Sequence, residues 1–493
     1  MVFPQAVLDA LSSEPDAVAF EHGPRKVTRG EARDLIGRFV AALRGAGVSR
    51  RDGVGVATAV TPEGWAAQIA AQTLGCRTVG IRAGLPVAHL RTVVSDLAAI
   101  VVDEASETPE LRATAAGAKI LRVGPELLSV FEEPVPAGRP SDIGWVVFTS
   151  GSTGLPKGVT YSFEALTAQG IEQRPEETPA DLAARYRRFL LFGTLTSAVM
   201  ITHLRSCLLA GGTVVIPESL PDFPWILPRL DITAALTTVP RLYKILDVLR
   251  ASEEDPVDLS SVRMLVVAGS PVAPGLMAEA FSRVGPGMQQ AYGQTEVGKL
   301  TVLTPADVAE FPDALGSAGR PCAGVEISVR DASGAAVAPG ASGEIFVRSA
   351  GQFSGYWGNP SQTASVLQDG WVRTQDIGHV DPSGFLHLTG RMRDVVIVNA
   401  VIHYTGPIER ALASYADVDQ AYVVAAPDPA TGEAAHAFVV AAPGRDPDVA
   451  ELRALVASSL GEAAVPSSVT VIDAVPMAAS GKPDKAALLG LLG

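Results

Sequence analysis

Phe148 to Val159, FTSGSTGLPKGV, is the stretch of this chain whose residue types are best suited to chemistry. It follows the apolar run GWVVF, so a buried strand is expected to open into a loop of small hydroxyl and glycine residues. Such a loop exposes backbone amides and lets a phosphate come close. Thr149, Ser150, Ser152 and Thr153 add hydroxyl donors, Gly151 and Gly154 carry no side-chain bulk, and Lys157 adds a point charge. The loop is not a Walker loop, because Pro156 stands where GxxxxGK[ST] needs glycine and Gly158 where it needs Ser or Thr.

Other short segments bring rings, carboxylates, glycines or a lysine close together in sequence. Tyr292-Gly293-Gln294-Thr295-Glu296 joins an aromatic face to a carboxylate, Gly269-Ser270-Pro271 offers bare backbone, Trp371 to Asp376 ends on an acid, and Ser480-Gly481-Lys482 ends on a lysine. The seven histidines are scattered with no HExxH or similar spacing, so no transition-metal site is expected.

In this order, the segments resemble the signatures of the adenylate-forming superfamily of acyl- and aryl-CoA synthetases, stand-alone adenylation enzymes and beetle luciferases. Phe148 to Val159 matches the family's phosphate loop, YGQTE its YGxTE, Gly343-Glu344-Ile345 its GEI, and Gly355-Tyr356-Trp357 its GYW. Trp371 to Asp376 matches its WxxTGD with Gln375 in place of glycine, Gly390-Arg391 with Asp394 its hinge segment, and Ser480 to Lys482 its C-terminal SGK. The likeness covers nearly the whole chain.

The resemblance implies an ATP- and Mg²⁺-dependent ligase that joins a small organic carboxylic acid, aryl or short-chain, to the α-phosphorus of ATP and expels pyrophosphate. It gives catalytic roles to Lys482, Thr295 and Glu296, with Glu296 also holding Mg²⁺. ATP would be bound by Thr149 to Gly154, Lys157, Gly269, Ser270, Pro271, Tyr292, Gly293, Asp376 and Arg391. Tyr292 would lie against the adenine, and Asp376 and Arg391 would face the ribose. The acid pocket would draw on Phe192, Thr194, Thr196, Ser197, Thr238, Met288 and Gln289, and Arg393 would be the hinge.

The acceptor stays open. The family pattern implies transfer of the acyl group to CoA or to the phosphopantetheine of an acyl carrier protein. Yet the thiol-side loop after Asp394 reads VVIVNAVIHYTGPIE, with Ile397 for the family's lysine, Asn399-Ala400 for its glycine pair and Thr405 for its proline. A turn needing positive φ is harder with Ala400 than with glycine. An amine or other small nucleophilic co-substrate is therefore the alternative acceptor.

These residues need a scaffold. Residues 30 to 130 alternate helix-period stretches (EARDLIGRFVAALRGAG) with β-branched runs (GVGVATAV, AIVVDEA), the rhythm of a parallel or mixed sheet. The Pro/Gly stretch at 132 to 142 separates this from a second α/β region with buried strands expected at 212–216, 232–239 and 263–269. Residues 316 to 389 read as a β-rich subdomain of short alternating strands, and 390 to 493 as a small mobile α+β domain. The expected class is multidomain α/β: a core over 1–389 of two α/β lobes with that subdomain, then the mobile domain.

Composition agrees with an enzyme of this size. The 493 residues are 47% hydrophobic and 19% charged, with mean hydropathy +0.25, enough apolar surface for a large core. The net charge of −14 has the wrong sign for nucleic acid or anionic lipid. Three scattered cysteines and the lack of a signal-peptide pattern or an apolar stretch of membrane length lead to the expectation of a cytoplasmic protein without a membrane span.

Overall fold

The computed structural model describes residues 2–492 except 116, 150–155, 171–176, 220, 253–255, 271, 393, 399–400 and 479–482, with only the backbone at 401 and 402. The architecture is the expected α/β one. Two large sheets share a core, a small antiparallel sheet leans on them, and a separate sheet carries the C-terminal unit.

The first large sheet runs, among the described residues, through seven strands from Gly355–Tyr356 and Lys157–Ser162 past Ile143–Thr149 to Arg77–Gly80, Gly53–Ala57, Leu97–Val102 and Lys119–Arg122. The five strands from Ile143–Thr149 onward are parallel. The second, of nine strands, has a parallel centre of Met288–Gln294, Met264–Val267, Ala234–Thr237, Arg188–Leu190, Thr213–Ile216 and Val18–His22. Parallel centres buried on both faces explain the near-continuous apolar runs GWVVF and RMLVVAG.

Between the sheets lies the main core, with Phe20 against Trp65 (centroids 5.1 Å apart), Tyr161, Phe189 and Leu204. The other face of the nine-stranded sheet is covered by helices Val239–Ala251 and Pro274–Val284, which bury Leu242, Ile245, Met277 and Ala280. The helix predicted by EARDLIGRFVAALRGAG spans Arg29–Gly45. It starts at a capping box in which the Thr28 hydroxyl accepts from Glu31 N and the Glu31 carboxylate accepts from Thr28 N.

The expected domain limits need correction, because strand pairing joins distant segments. The Pro/Gly stretch at 132–142 does not separate the lobes, since Ile143–Thr149 pairs with Arg77–Gly80 in the first sheet, while Val18–His22 crosses to the second. Within the expected β-rich subdomain, Gly355–Tyr356 adds to the first sheet against Val159 and Thr160, and Arg320–Pro321 to the second. Val325–Arg330, Gly343–Ser349, Trp371–Val380 and Leu386–Arg391 do form the small antiparallel sheet. Gly390 and Arg391 are its last rungs, opposite Ile377 and Asp376. The C-terminal unit touches the core where the Tyr243 hydroxyl donates to the Asp419 carbonyl.

Candidate active site

The candidate residues gather where strands of the two sheets end, the edge at which parallel α/β sheets bind ligands. Two clusters form there among the described residues, one around Lys157, Tyr356 and Glu296 and one built around the buried Asp376 carboxylate.

In the first cluster, Thr149 is the last described residue before the phosphate loop and sits opposite Lys157 in the ladder. Ser150, Gly151, Ser152, Thr153 and Gly154 lie outside the described residues. The Lys157 ammonium stands 5.9 Å from the centre of the Tyr356 ring, and the Tyr356 hydroxyl donates to Glu296 Oε1 at 2.8 Å. Glu296 is fixed further by its carbonyl, which accepts from Phe353 N at 2.7 Å, and the Thr295 carbonyl accepts from the buried Tyr161 hydroxyl. Burial pushes the Tyr161 hydroxyl far above its ordinary pKa, so it remains a donor at working pH. Lysine, tyrosine and glutamate thus meet from three segments far apart in the chain.

Gly293 is forced by this turn. A Cβ there would lie 2.2 Å from the Gly298 carbonyl oxygen, a clash no side chain survives. Gly269, just after strand Met264–Val267, has φ +97, a backbone state that L side chains rarely adopt. Pro271 lies outside the described residues.

The second cluster centres on Asp376, 3% exposed. Its Oδ2 accepts from the Tyr292 hydroxyl and from Gln294 Nε2 (2.8 Å), and its Oδ1 from Arg391 Nε (2.8 Å). Gln294 also reaches the Thr374 carbonyl at 3.0 Å, and Asp376 N donates to Thr374 Oγ1 at 3.1 Å. Burial, reinforced by the Asp376 carboxylate, holds the Tyr292 hydroxyl protonated well above its usual range. A carboxylate has about four lone-pair sites and three donors are already present, so a ribose diol taking two bonds displaces one of them.

Gln375 is strained: it has φ +61 where the family pattern has glycine, and its carbonyl accepts from Met392 N at 2.9 Å across the hinge segment. A left-handed backbone costs a non-glycine residue about 1–2 kcal/mol. Gln375→Gly is therefore expected to leave stability unchanged or raise it by about 0.5–1 kcal/mol, against the usual sign for glycine in a strand. Denaturant unfolding checks this, and a loss above about 1 kcal/mol would mean that the Gln375 side chain holds a contact worth more than the strain.

Arg393 and Lys482 lie outside the described residues, but their neighbours are placed. Met477 bridges Pro483 and Asp484 N donates to the Pro476 carbonyl at 2.8 Å, which fixes both ends of the segment carrying Lys482. Lys485 Nζ lies 3.1 Å from Asp394 in the hinge segment and 3.2 Å from Glu409. Burial works against this charge, but Glu409 and Asp394 outweigh it and raise the Lys485 pKa. Lys485→Met is expected to slow pyrophosphate release about tenfold and Lys485→Arg to restore most of it. Rates and melting temperatures of both variants check this, and an arginine variant as slow as the methionine one would contradict it.

The expected acid pocket divides. Thr194 Oγ1 and Thr196 Oγ1 lie 3.1 Å apart, the Leu195 carbonyl accepts from Gln68 Nε2 at 3.1 Å, and Thr196 packs on Gly80. Ser197 caps helix Ala198–Leu209 through Met200 N (3.4 Å), so its hydroxyl is in use. Phe192 stacks edge to face with Phe223 at 5.7 Å, and Thr238 is exposed where helix Val239–Ala251 begins. Met288 is a correction: fully buried, it packs under the two helices, whereas Gln289, next in the strand, points to the opposite face, toward the core between the sheets.

Sequence alone assigns no role to Tyr356, Gln294 or Tyr161. Tyr356 lies in the GYW match and Gln294 in the YGQTE segment, whereas Tyr161 has no such signal.

Comparison with known proteins decides what this arrangement is. The family model described as AMP-binding enzyme matches residues 8–357, and that of the AMP-binding enzyme C-terminal domain matches 407–482. This chain belongs to the AMP-binding enzyme family. The amide bond synthetase McbA from Marinactinospora thermotolerans superposes with TM-score 0.86 at 33% identity, over 99% of both chains. A feruloyl-CoA synthase of an Amycolatopsis species is 32% identical over 95% of this chain and 94% of its own. A fatty acid–[acyl-carrier-protein] ligase, ScoC of Streptomyces coeruleorubidus, is 33% identical over 68% of this chain and 65% of its own. As an AMP-binding enzyme, the protein is an adenylate-forming ligase that activates a carboxylic acid as its acyl adenylate. No helix among the described residues is long and apolar enough to cross a membrane.

The donors fit the nucleotide and a magnesium ion. Among the described residues no group of three His, Cys, Asp or Glu could hold a metal by itself, and Glu296 keeps its second carboxylate oxygen without a hydrogen bond. That suits Mg²⁺, which is commonly held by one or two carboxylates together with substrate phosphates.

Proposed function

We propose that the enzyme activates a small aryl or short-chain acid with ATP and passes the acyl group to an amine, forming an amide and AMP. In the first step a carboxylate oxygen attacks the α-phosphorus and pyrophosphate leaves. Lys157 and Lys482 would offset the developing negative charge, Glu296 would hold Mg²⁺, which would supply charge neutralisation of the leaving group, and Asp376 would hold the ribose. In the second step the amine nitrogen attacks the acyl carbon, the bond to AMP breaks with its electron pair on the phosphate oxygen, and the nitrogen loses a proton.

The observation that carries the amine reading is the thiol-side loop. Ile397 stands 41% exposed on strand Val395–Val398 where CoA-forming relatives have a lysine, and Asn399-Ala400, outside the described residues, replaces a glycine pair. Likeness to an amide bond synthetase over nearly the whole chain supports the same reading. Transfer to CoA or carrier-protein phosphopantetheine is the second reading, favoured by the feruloyl-CoA synthase and carrier-protein ligase relatives.

Mass spectrometry of reactions containing ATP, Mg²⁺ and an accepted acid, with either CoA or a panel of primary amines, separates the two. The amine reading predicts amide formation at least about tenfold faster than thioester formation. A thioester rate exceeding every amide rate would replace it with the thiol reading.

A further inference from the structure

Strands Thr213–Ile216, Arg188–Leu190, Ala234–Thr237 and Met264–Val267 are parallel neighbours, so the segments that follow them emerge at one edge of the sheet. Phe223, Phe192 and Arg241 belong to three of those segments. The Arg241 guanidinium carbon lies 4.9 Å from the centre of the Phe192 ring and 5.4 Å from that of Phe223. The residue is half-buried, and burial alone lowers its pKa, with no carboxylate acting in the opposite sense. The acid nearest in sequence to these rings, Asp222, is held instead by Arg229 through two bonds of 2.8 and 3.0 Å. Among the described residues no acid pairs with Arg241. A partly desolvated cation without a counter-charge is unfavourable, and the aromatic rings offset only part of that cost. At the ligand edge of the sheet, a ligand can supply the missing partner.

We propose that Arg241 sets substrate specificity by receiving an oxygen acceptor carried on the acid at the end remote from its reacting carboxyl, with Phe192 and Phe223 favouring an aromatic frame. The acceptor is a second carboxylate or a neutral hydroxyl or carbonyl oxygen. This rests on the acid-pocket assignment above, not on the identity of the acceptor nucleophile.

The test uses acid-dependent exchange of labelled pyrophosphate into ATP, which reports adenylation alone. Benzoate, 4-hydroxybenzoate, 4-acetylbenzoate and terephthalate are compared on the wild-type protein and on the Arg241→Met, Arg241→Gln and Arg241→Lys variants. The wild type is expected to prefer at least one oxygen-bearing acid over benzoate by tenfold or more in kcat/KM. Arg241→Met is expected to raise KM for that acid about 10- to 100-fold and to leave benzoate within about twofold. If the acceptor is a second carboxylate, Arg241→Lys restores more than Arg241→Gln; if it is neutral, Arg241→Gln restores as much. Equal losses for all four acids, loss of exchange with every acid in all three variants, or a wild type without the preference would overturn the proposal. Amide and thioester yields play no part in this readout, so failure here is distinct from failure of the amine reading.

Discussion

Lys482→Ala is expected to lower acid-dependent pyrophosphate release by about 10² to 10⁴ while leaving the melting temperature nearly unchanged. By the family resemblance, Lys482 would lie between the substrate carboxylate and the α-phosphate, where both negative partners must approach each other. A unit charge at about 4 Å with an effective dielectric of about 20 is worth roughly 4 kcal/mol. Confined to the transition state, that is on the order of 10³ in rate. Stability is spared because the contacts that fix the segment's ends involve other residues: the Met477–Pro483 bridge, the Asp484 bond to the Pro476 carbonyl and the Lys485 pairs. Single-turnover adenylation and thermal melts on the same preparation check both halves. A variant as fast as wild type would mean that the lysine of this SGK segment does not do what its position in the family implies.

The second large effect is expected at Asp376. Asp376→Ala removes the acceptor shared by Tyr292, Gln294 and Arg391. The Tyr292 hydroxyl is then buried without that partner, at about 1–3 kcal/mol, whereas Gln294 keeps the Thr374 carbonyl and Arg391, half-exposed at its side chain, turns to water. The two charge-assisted bonds that a ribose diol would make to Asp376 are lost as well. At about 1.5 kcal/mol each, they raise the KM for ATP about 10²-fold. The diagnostic is the sugar: wild type should discriminate against 2′,3′-dideoxy-ATP, and the variant should handle both nucleotides alike. An unchanged KM for ATP would place the ribose elsewhere.

Chemistry is more legible in the sequence than architecture. The strand before the phosphate loop, the helix beginning at Thr28 and the YGQTE turn are local patterns, fixed by residue type over a few positions. Pairing of Gly355–Tyr356 with Val159 and Thr160 is a contact across almost two hundred residues, and nothing in the local composition of the 316–389 segment distinguishes strands that stay in its own sheet from those that leave it. Hence the domain limits shift although the strands themselves are where local composition puts them. Met288 and Gln289 differ for another reason: strand alternation forbids two adjacent residues from sharing a pocket wall, a rule that the backbone pleat imposes on any strand. The role of Tyr356 depends on Glu296 arriving from the other sheet. The pairing of Lys485 with Asp394 and Glu409 likewise joins residues 76 to 91 positions apart, with no local pattern to announce it.

The most direct measurement is exchange of labelled pyrophosphate into ATP by the folded, magnesium-loaded protein, run across a broad panel of aryl and short-chain acids. Formation of an acyl adenylate predicts label entering ATP with at least one acid, and none when the acid is left out. If no acid in the panel moves label into ATP while the protein remains folded and nucleotide is saturating, then this chain does not perform the adenylation on which the account rests.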